Sequence, residues 1–112
     1  APLGGVDQAL VIVAEAGLPA VVSSALDSSI GLAMGAELAA RLPTLDYDCG
    51  LGTAALLADD VTAPQLRSVD GAITAGRIPA DPDALRRLAA VPERTAWWRE
   101  RLSRCHALLS SG

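Results

Sequence analysis

Apolar residues at Val6, Leu10, Val13 and Ala14 share one face, with Asp7, Gln8 and Glu15 on the other, so the spacing predicts a helix over Val6–Ala16. Asp7 in the first turn suits the helix dipole, and Gly17 stands where a left-handed C′ residue is needed. After Pro19, Ala20–Ser24 is apolar on both faces until its closing serines, the pattern of a strand in a parallel sheet. Ser28 or Ser29 can N-cap a second helix over Ser29–Arg41, in which Glu37 and Arg41 form an i,i+4 pair; Pro43 stops it. Gly31 and Gly35 lie one turn apart on one face, which predicts close packing onto the sheet. Leu45–Cys49 alternates as a short strand with Asp46 and Asp48 opposite Tyr47, and Gly50–Thr53 turns it into a helical stretch to about Ala58.

The pattern then changes. Val69-Asp-Gly-Ala72 is a hairpin signal between two modest strands within Leu66–Ile78. Asp81-Pro82 and Asp83 cap a short helix over Ala84–Ala90, and Pro92 opens a last helix. On it Trp98, Leu102, Cys105 and Leu109 recur at helical spacing, and Trp97-Trp98 is expected to anchor the helix to the domain. Helix and strand alternate in the first half, which predicts an α/β class with parallel pairing.

A length of 112 residues allows one small domain, with an apolar half made mostly of Ala, Leu and Val and no Phe. Residues 1–60 carry eight acids against Arg41 alone, whereas 61–112 carry eight Arg against five acids. The basic tail is interleaved with acids and apolar residues, so it reads as a solvated helix face and not as a nucleic-acid patch. No Lys occurs anywhere. Cys49 and Cys105 have no partner pattern, and a reduced intracellular setting is expected for them. No segment approaches eighteen uncharged apolar residues, so no membrane span is expected. Pro2–Gly5 reads as the loop after a strand that lies upstream, and the chain as a piece of a longer one.

Candidate chemistry is sparse. His106 has no ligand partners at helical spacing and is expected at the surface; Asp59-Asp60 reads as a solvated helix end without a third metal ligand. Gly50-Leu-Gly52 fits either an anion cradle or a tight β-to-α turn. Ser23, Ser24 and Asp27 lack a Gly-x-Ser-x-Gly elbow and a nearby histidine. The serines therefore fit substrate orientation better than a nucleophile, and Asp27 fits a turn.

The blocks Ala1-Pro-Leu-Gly-Gly5, Val21-Val-Ser-Ser-Ala-Leu-Asp-Ser-Ser-Ile-Gly31, Cys49-Gly-Leu-Gly-Thr53, Val69-Asp-Gly71 and Trp97-Trp98 occur in this order. Together they resemble the actinobacterial-type o-succinylbenzoate synthases of menaquinone biosynthesis, in the enolase superfamily, over essentially the whole chain. The resemblance implies the C-terminal portion of a (β/α)7β barrel: helix six, strand seven, helix seven, strand eight, then the hairpin and closing helices. Residues 1–60 would be the last βα units and 61–112 the closing segment, with no complete independent domain. The implied activity is a cytoplasmic lyase that dehydrates a small molecule, a succinyl-hydroxycyclohexadiene carboxylate, with Mg²⁺ as cofactor. The family's two catalytic lysines and its acidic metal ligands would lie outside this chain, so the resemblance implies no catalytic and no metal residue here and no turnover by this chain alone.

What carries over is the mouth of strands seven and eight. Ser23 or Ser24, with the backbone of Gly50, Leu51 and Gly52, matches the family positions that hold the succinyl carboxylate. Asp48 departs from the family pattern. If its face looks into the barrel, an N-succinylamino-acid racemase or dipeptide epimerase activity gains; a non-enzymatic interaction module is a third alternative. The implied partners are the substrate and the remainder of the chain's own barrel, with no nucleic acid and no membrane, and a homo-oligomer stays open. Without that remainder, the faces around Leu10, Val13, Met34 and Leu38 have too little sheet to cover, and a dimeric, molten or aggregating piece is expected.

Overall fold

The computed structural model describes residues 4–110, so the Ala1–Leu3 part of the first loop lies outside the described residues. Helix α1 runs Val6–Ala16 and closes on Gly17 in the left-handed conformation (φ 61°), whose N–H donates to the Val13 carbonyl at 3.3 Å. Its inner face is narrower than the apolar pattern implies. Ala9 is buried, Val6, Leu10 and Val13 are half-buried, and Ala14 is exposed. Helix α2 spans Ser29–Arg41 and lies beside α1. The Arg41 guanidinium ties the two, donating to Asp7 at 2.7 Å while also facing Glu37 at 3.7 Å.

The core sits under α2. Leu32 is fully buried and Ala36 nearly so, against Val22, Leu51 and Ala54; Leu38, Ala39, Leu42, Cys49, Leu66 and Ile73 pack around them. Burying a leucine contributes about 1.5–3 kcal/mol, so Leu32 and Leu51 dominate a core otherwise made of small residues. Gly35 allows the close approach predicted for it: a Cβ there would lie 2.9 Å from Leu51 Cδ2. Gly31 meets the Asp27 side chain, with a Cβ placed 2.8 Å from Asp27 Cβ.

The strands expected from the pattern are not formed among the described residues. Ala20–Ser24 and Leu45–Cys49 are extended or bent segments that meet in a single parallel bridge, Ser23 to Gly50. The Ser24 N–H donates to the Gly50 carbonyl and the Gly50 N–H to the Val22 carbonyl, both at 2.9 Å. Each segment has one neighbour and no second flank, and a ladder propagates only where successive residues find partners. The regular structure is therefore helical, and the barrel portion is not seen as sheet.

The hairpin turn at Asp70-Gly71 is present, with φ 50° and 79°, the two positive values a primed two-residue turn requires. Val69 and Ala72 exchange backbone bonds of 2.8 and 3.0 Å, but pairing stops there, and the flanking strands are absent. The helical stretch after Gly52 shrinks to one 3-10 turn, Thr53–Leu56.

Helix α3 covers Pro82–Arg87, ending before the expected Ala90. Asp81 caps it as expected, accepting from the N–H groups of Asp83 (2.8 Å) and Ala84 (3.4 Å). Helix α4 spans Pro92–Ser110 and buries none of its residues. Its predicted stripe exists but stays uncovered: Trp98 is 55% exposed, Leu102 71% and Leu109 85%. Trp97 and Trp98 pack edge-to-face on each other, centroids 4.7 Å apart, beneath the Arg94 and Arg101 guanidiniums, instead of anchoring the helix.

The result is a slab of 44 × 41 × 20 Å with a radius of gyration of 16.3 Å. A compact domain of this length has a radius near ~13 Å. The accessible surface, 8238 Å², likewise exceeds the ~5,800 Å² typical of a folded chain of this mass.

Candidate functional site

The mouth is built where the two extended segments touch. Ser23 Oγ lies over Gly50, so that a Cβ on Gly50 would stand 3.0 Å from it; a glycine is what lets the segments close. Ser23 is exposed, and its hydroxyl has no hydrogen-bond partner among the described residues. Ser24 points the other way. Its hydroxyl donates to the Gly50 carbonyl at 3.0 Å and shares a 2.8 Å hydrogen bond with the Thr53 hydroxyl. The two candidate serines thus separate: one is free to meet a ligand, and the other ties the end of its segment to the 3-10 turn.

Leu51 is 7% exposed, with its side chain in the core beside Gly35, so only its backbone faces the mouth. Gly52 is exposed, with open space where a Cβ would stand. The five candidate residues are brought together. Asp27 sits behind them as a turn residue: its carboxylate accepts from the Ala25 N–H at 3.2 Å, across Leu26 with a positive φ of 61°.

A second polar node lies behind this mouth. Asp60 is 4% exposed and Ser29 fully buried. The Ser29 N–H donates to both Asp60 carboxylate oxygens (3.2 and 3.0 Å), and its hydroxyl donates to Oδ2 at 2.5 Å. The Ser29 oxygen in turn accepts from the Leu66 N–H at 2.7 Å, and Asp60 Oδ1 accepts from its neighbour Val61 N–H at 2.7 Å. A carboxylate at a helix N-terminus is where the dipole and the unpaired N–H groups favour it. Ser28 occupies the N-cap position but makes no side-chain bond there; Asp60 caps α2 from 31 residues away. The expected solvated pair is therefore split. Asp60 is buried, while Asp59 is surface-exposed and bonded to Arg87. The hydrogen bond from Arg87, and then that from the Asp60 N–H, hold the Asp59 carboxyl below its ordinary range.

Thr53 and Asp60 are the residues that sequence reasoning missed. Thr53 stood inside a recognisable block, while nothing in local spacing pairs Asp60 with Ser29. Asp46, Tyr47 and Asp48 do not alternate. All three are exposed and, with Leu51 and Gly52, line one groove of about 880 Å³ between the flank of α2 and the hairpin. His106 is exposed on α4, and both thiols are free.

The Mg²⁺ that the resemblance implies finds no ligand set here: among the described residues no three His, Cys, Asp or Glu converge. Asp59 is engaged by Arg87 and Asp60 by Ser29, so neither is free to ligate. No helix among the described residues is long and apolar enough to cross a membrane.

No family model matches the chain. Among curated proteins it is similar to the o-succinylbenzoate synthases of Mycobacterium ulcerans and Mycobacterium marinum, at 49% identity over 109 residues. The Mycobacterium tuberculosis protein of the same name is 48% identical over the same length. Each match takes in 97% of this chain but 33% of the relative, so the chain spans about a third of the length of the curated relatives it matches. That coverage is consistent with a C-terminal piece, and it lends no support to the racemase, epimerase or interaction-module alternatives.

Proposed function

We propose that this chain forms the C-terminal part of an o-succinylbenzoate synthase, a lyase that dehydrates a succinyl-hydroxycyclohexadiene carboxylate in menaquinone biosynthesis. The carrying observation is the match at 48–49% identity across 97% of the chain. The Val21–Gly31 and Cys49–Thr53 blocks behind that resemblance are also the segments that build the mouth.

In this reading residues 1–60 supply the last βα units and 61–112 the closing segment, and the remainder of the barrel is the chain's first partner. Ser23, with its unengaged hydroxyl, and the backbone of Gly50, Leu51 and Gly52 line the end that receives the substrate's succinyl carboxylate. Ser24 holds that wall in register through Gly50 and Thr53. The proton-abstracting bases and the ligands of a Mg²⁺ ion belong to the remainder: this chain has no lysine and no convergent acidic set among its described residues. A cytoplasmic setting goes with the same proposal, and a homo-oligomer is compatible with it.

The test is turnover of the dehydration substrate by the complete polypeptide, by the 112-residue chain alone, and by Ser23→Ala in the complete polypeptide. The complete polypeptide is expected to be active and the chain alone inactive, with Ser23→Ala raising KM by about tenfold, the scale of one lost hydrogen bond to a charged group. Turnover by the chain alone, or none by the complete polypeptide, overturns the reading.

A further inference from the structure

The mouth is held at two points. At the front, Ser24 bonds Gly50 and Thr53; behind it, Asp60 bonds Ser29, which bonds Leu66. The two segments that carry the candidate binding groups run to these points: Ser23–Ser28, which leads into α2, and Gly50–Asp60. The Gln65 side chain spans the second loop from outside, donating to the Ala54 and Leu57 carbonyls at 3.4 Å.

The rear point is a buried carboxylate that the proposed chemistry does not use. Its donors are Ser29 N–H, Ser29 O–H and Val61 N–H. A side chain so fully engaged at a helix N-terminus fixes both the end of its own loop and the first turn of the helix.

We propose that Asp60 is a positioning residue for substrate binding: through Ser29 it clamps the Gly50–Asp60 loop to the start of α2, and so sets the separation of Ser23 from the Gly50–Gly52 backbone. This rests on the synthase reading for the identity of the substrate. The clamp itself is read from the hydrogen bonds above. Asn at position 60 keeps the shape and one acceptor, but in either orientation its NH2 group faces a backbone N–H, that of Ser29 or those of Ser29 and Val61. The clamp then loosens without a change in volume. Groups that bind the ground state and the transition state equally are felt in KM, whereas a merely structural defect lowers the amount of active protein at constant KM.

The experiment compares Asp60→Asn, Ser29→Ala and Arg87→Ala in the complete polypeptide, by steady-state kinetics and by amide hydrogen exchange at Ser24 and Gly50. Asp60→Asn is expected to raise KM by about tenfold with kcat within about threefold, and to speed exchange at both amides by a similar factor. Ser29→Ala, which removes a hydroxyl but leaves the backbone N–H, gives the same split at about threefold and serves if the Asn variant does not fold. Arg87→Ala, which frees the neighbouring Asp59, leaves KM and exchange unchanged. An unchanged KM in both Asp60→Asn and Ser29→Ala overturns the proposal, as does a loss of kcat alone. If the unaltered polypeptide does not turn over the substrate, the synthase reading fails and the exchange arm decides: unaltered exchange at Ser24 and Gly50 then overturns the clamp.

Discussion

Helices α2 and α4 are the longest in the chain, and they stand at opposite ends of its packing. Four residues of α2 are buried, Ser29, Leu32, Ala33 and Ala36, and its first turn is tied to Asp60 and Leu66. No residue of α4 is buried, although Trp98, Leu102, Cys105 and Leu109 recur on it at helical spacing. Periodicity makes a helix amphipathic, but a helix gains stability from that face only when another surface covers it. On α4 the aromatic pair and the arginines above it shield one another; cation–π contacts at exposed positions contribute about 0.5–1 kcal/mol and need no core.

The largest expected effect tests that contrast directly. Leu32→Ala removes a fully buried side chain and should cost about 2–5 kcal/mol, the range for leucine truncation in a packed core. Leu102→Ala, at a site 71% exposed, should stay within about 0.5 kcal/mol. Urea denaturation of the 112-residue chain measures both as midpoint shifts. Equal losses would break the comparison, since they would mean that α4 is docked.

A smaller effect sharpens the α2 side. Gly35→Ala improves helix propensity by about 1 kcal/mol. The new methyl, however, meets Leu51 Cδ2 at 2.9 Å, and overpacking of this kind costs about 1–3 kcal/mol. Net destabilisation, read from the same denaturation midpoint, is the expected outcome. A rise in midpoint would show that Leu51 has room to move and that this contact is loose.

What could be read in advance follows the range of the interactions. The bounds of α1, the left-handed Gly17, the Asp81 cap and the Asp70-Gly71 turn all depend on residues within four positions of one another, and all are present; α2 keeps its expected bounds, but its start is capped by the distant Asp60 and not by Ser28. The strands at Ala20–Ser24 and Leu45–Cys49 needed neighbours that local pattern cannot supply, and they reduce to one bridge. Burial of the α4 stripe failed for the same reason. At the mouth, a resemblance over whole blocks put Ser23 or Ser24 with Gly50–Gly52, and the folded chain bridges Ser23 to Gly50. The Ser29–Asp60 node joins residues whose partnership only the folded chain reveals, and Asp60 looked like half of an exposed acidic pair.

Helix α3 lies between these extremes, and it supports the smallest prediction. It buries Ala84, and the Asp81 N–H that precedes it donates to the Val61 carbonyl at 2.8 Å. Its last residue, Arg87, bonds Asp59 in the loop that carries Asp60. That bond, with help from the Asp60 N–H, holds the Asp59 carboxyl below its ordinary value of 3.8. A depressed folded-state pKa adds stability at pH values above the unfolded value, and the contribution disappears as pH falls through the folded one. The tie between α3 and the loop should therefore be fully present above pH 3.8 and weaken only in stronger acid. Both partners are about half exposed, so salt should screen most of it. An NMR titration of the Asp59 carboxyl, with and without Arg87→Ala, reads this without reference to global stability. The midpoint should lie below the ordinary value in the unaltered chain and move up toward it in the variant. A midpoint at or above the ordinary value in the unaltered chain would remove the Arg87–Asp59 tie and leave α3 held by the Asp81–Val61 bond and the burial of Ala84.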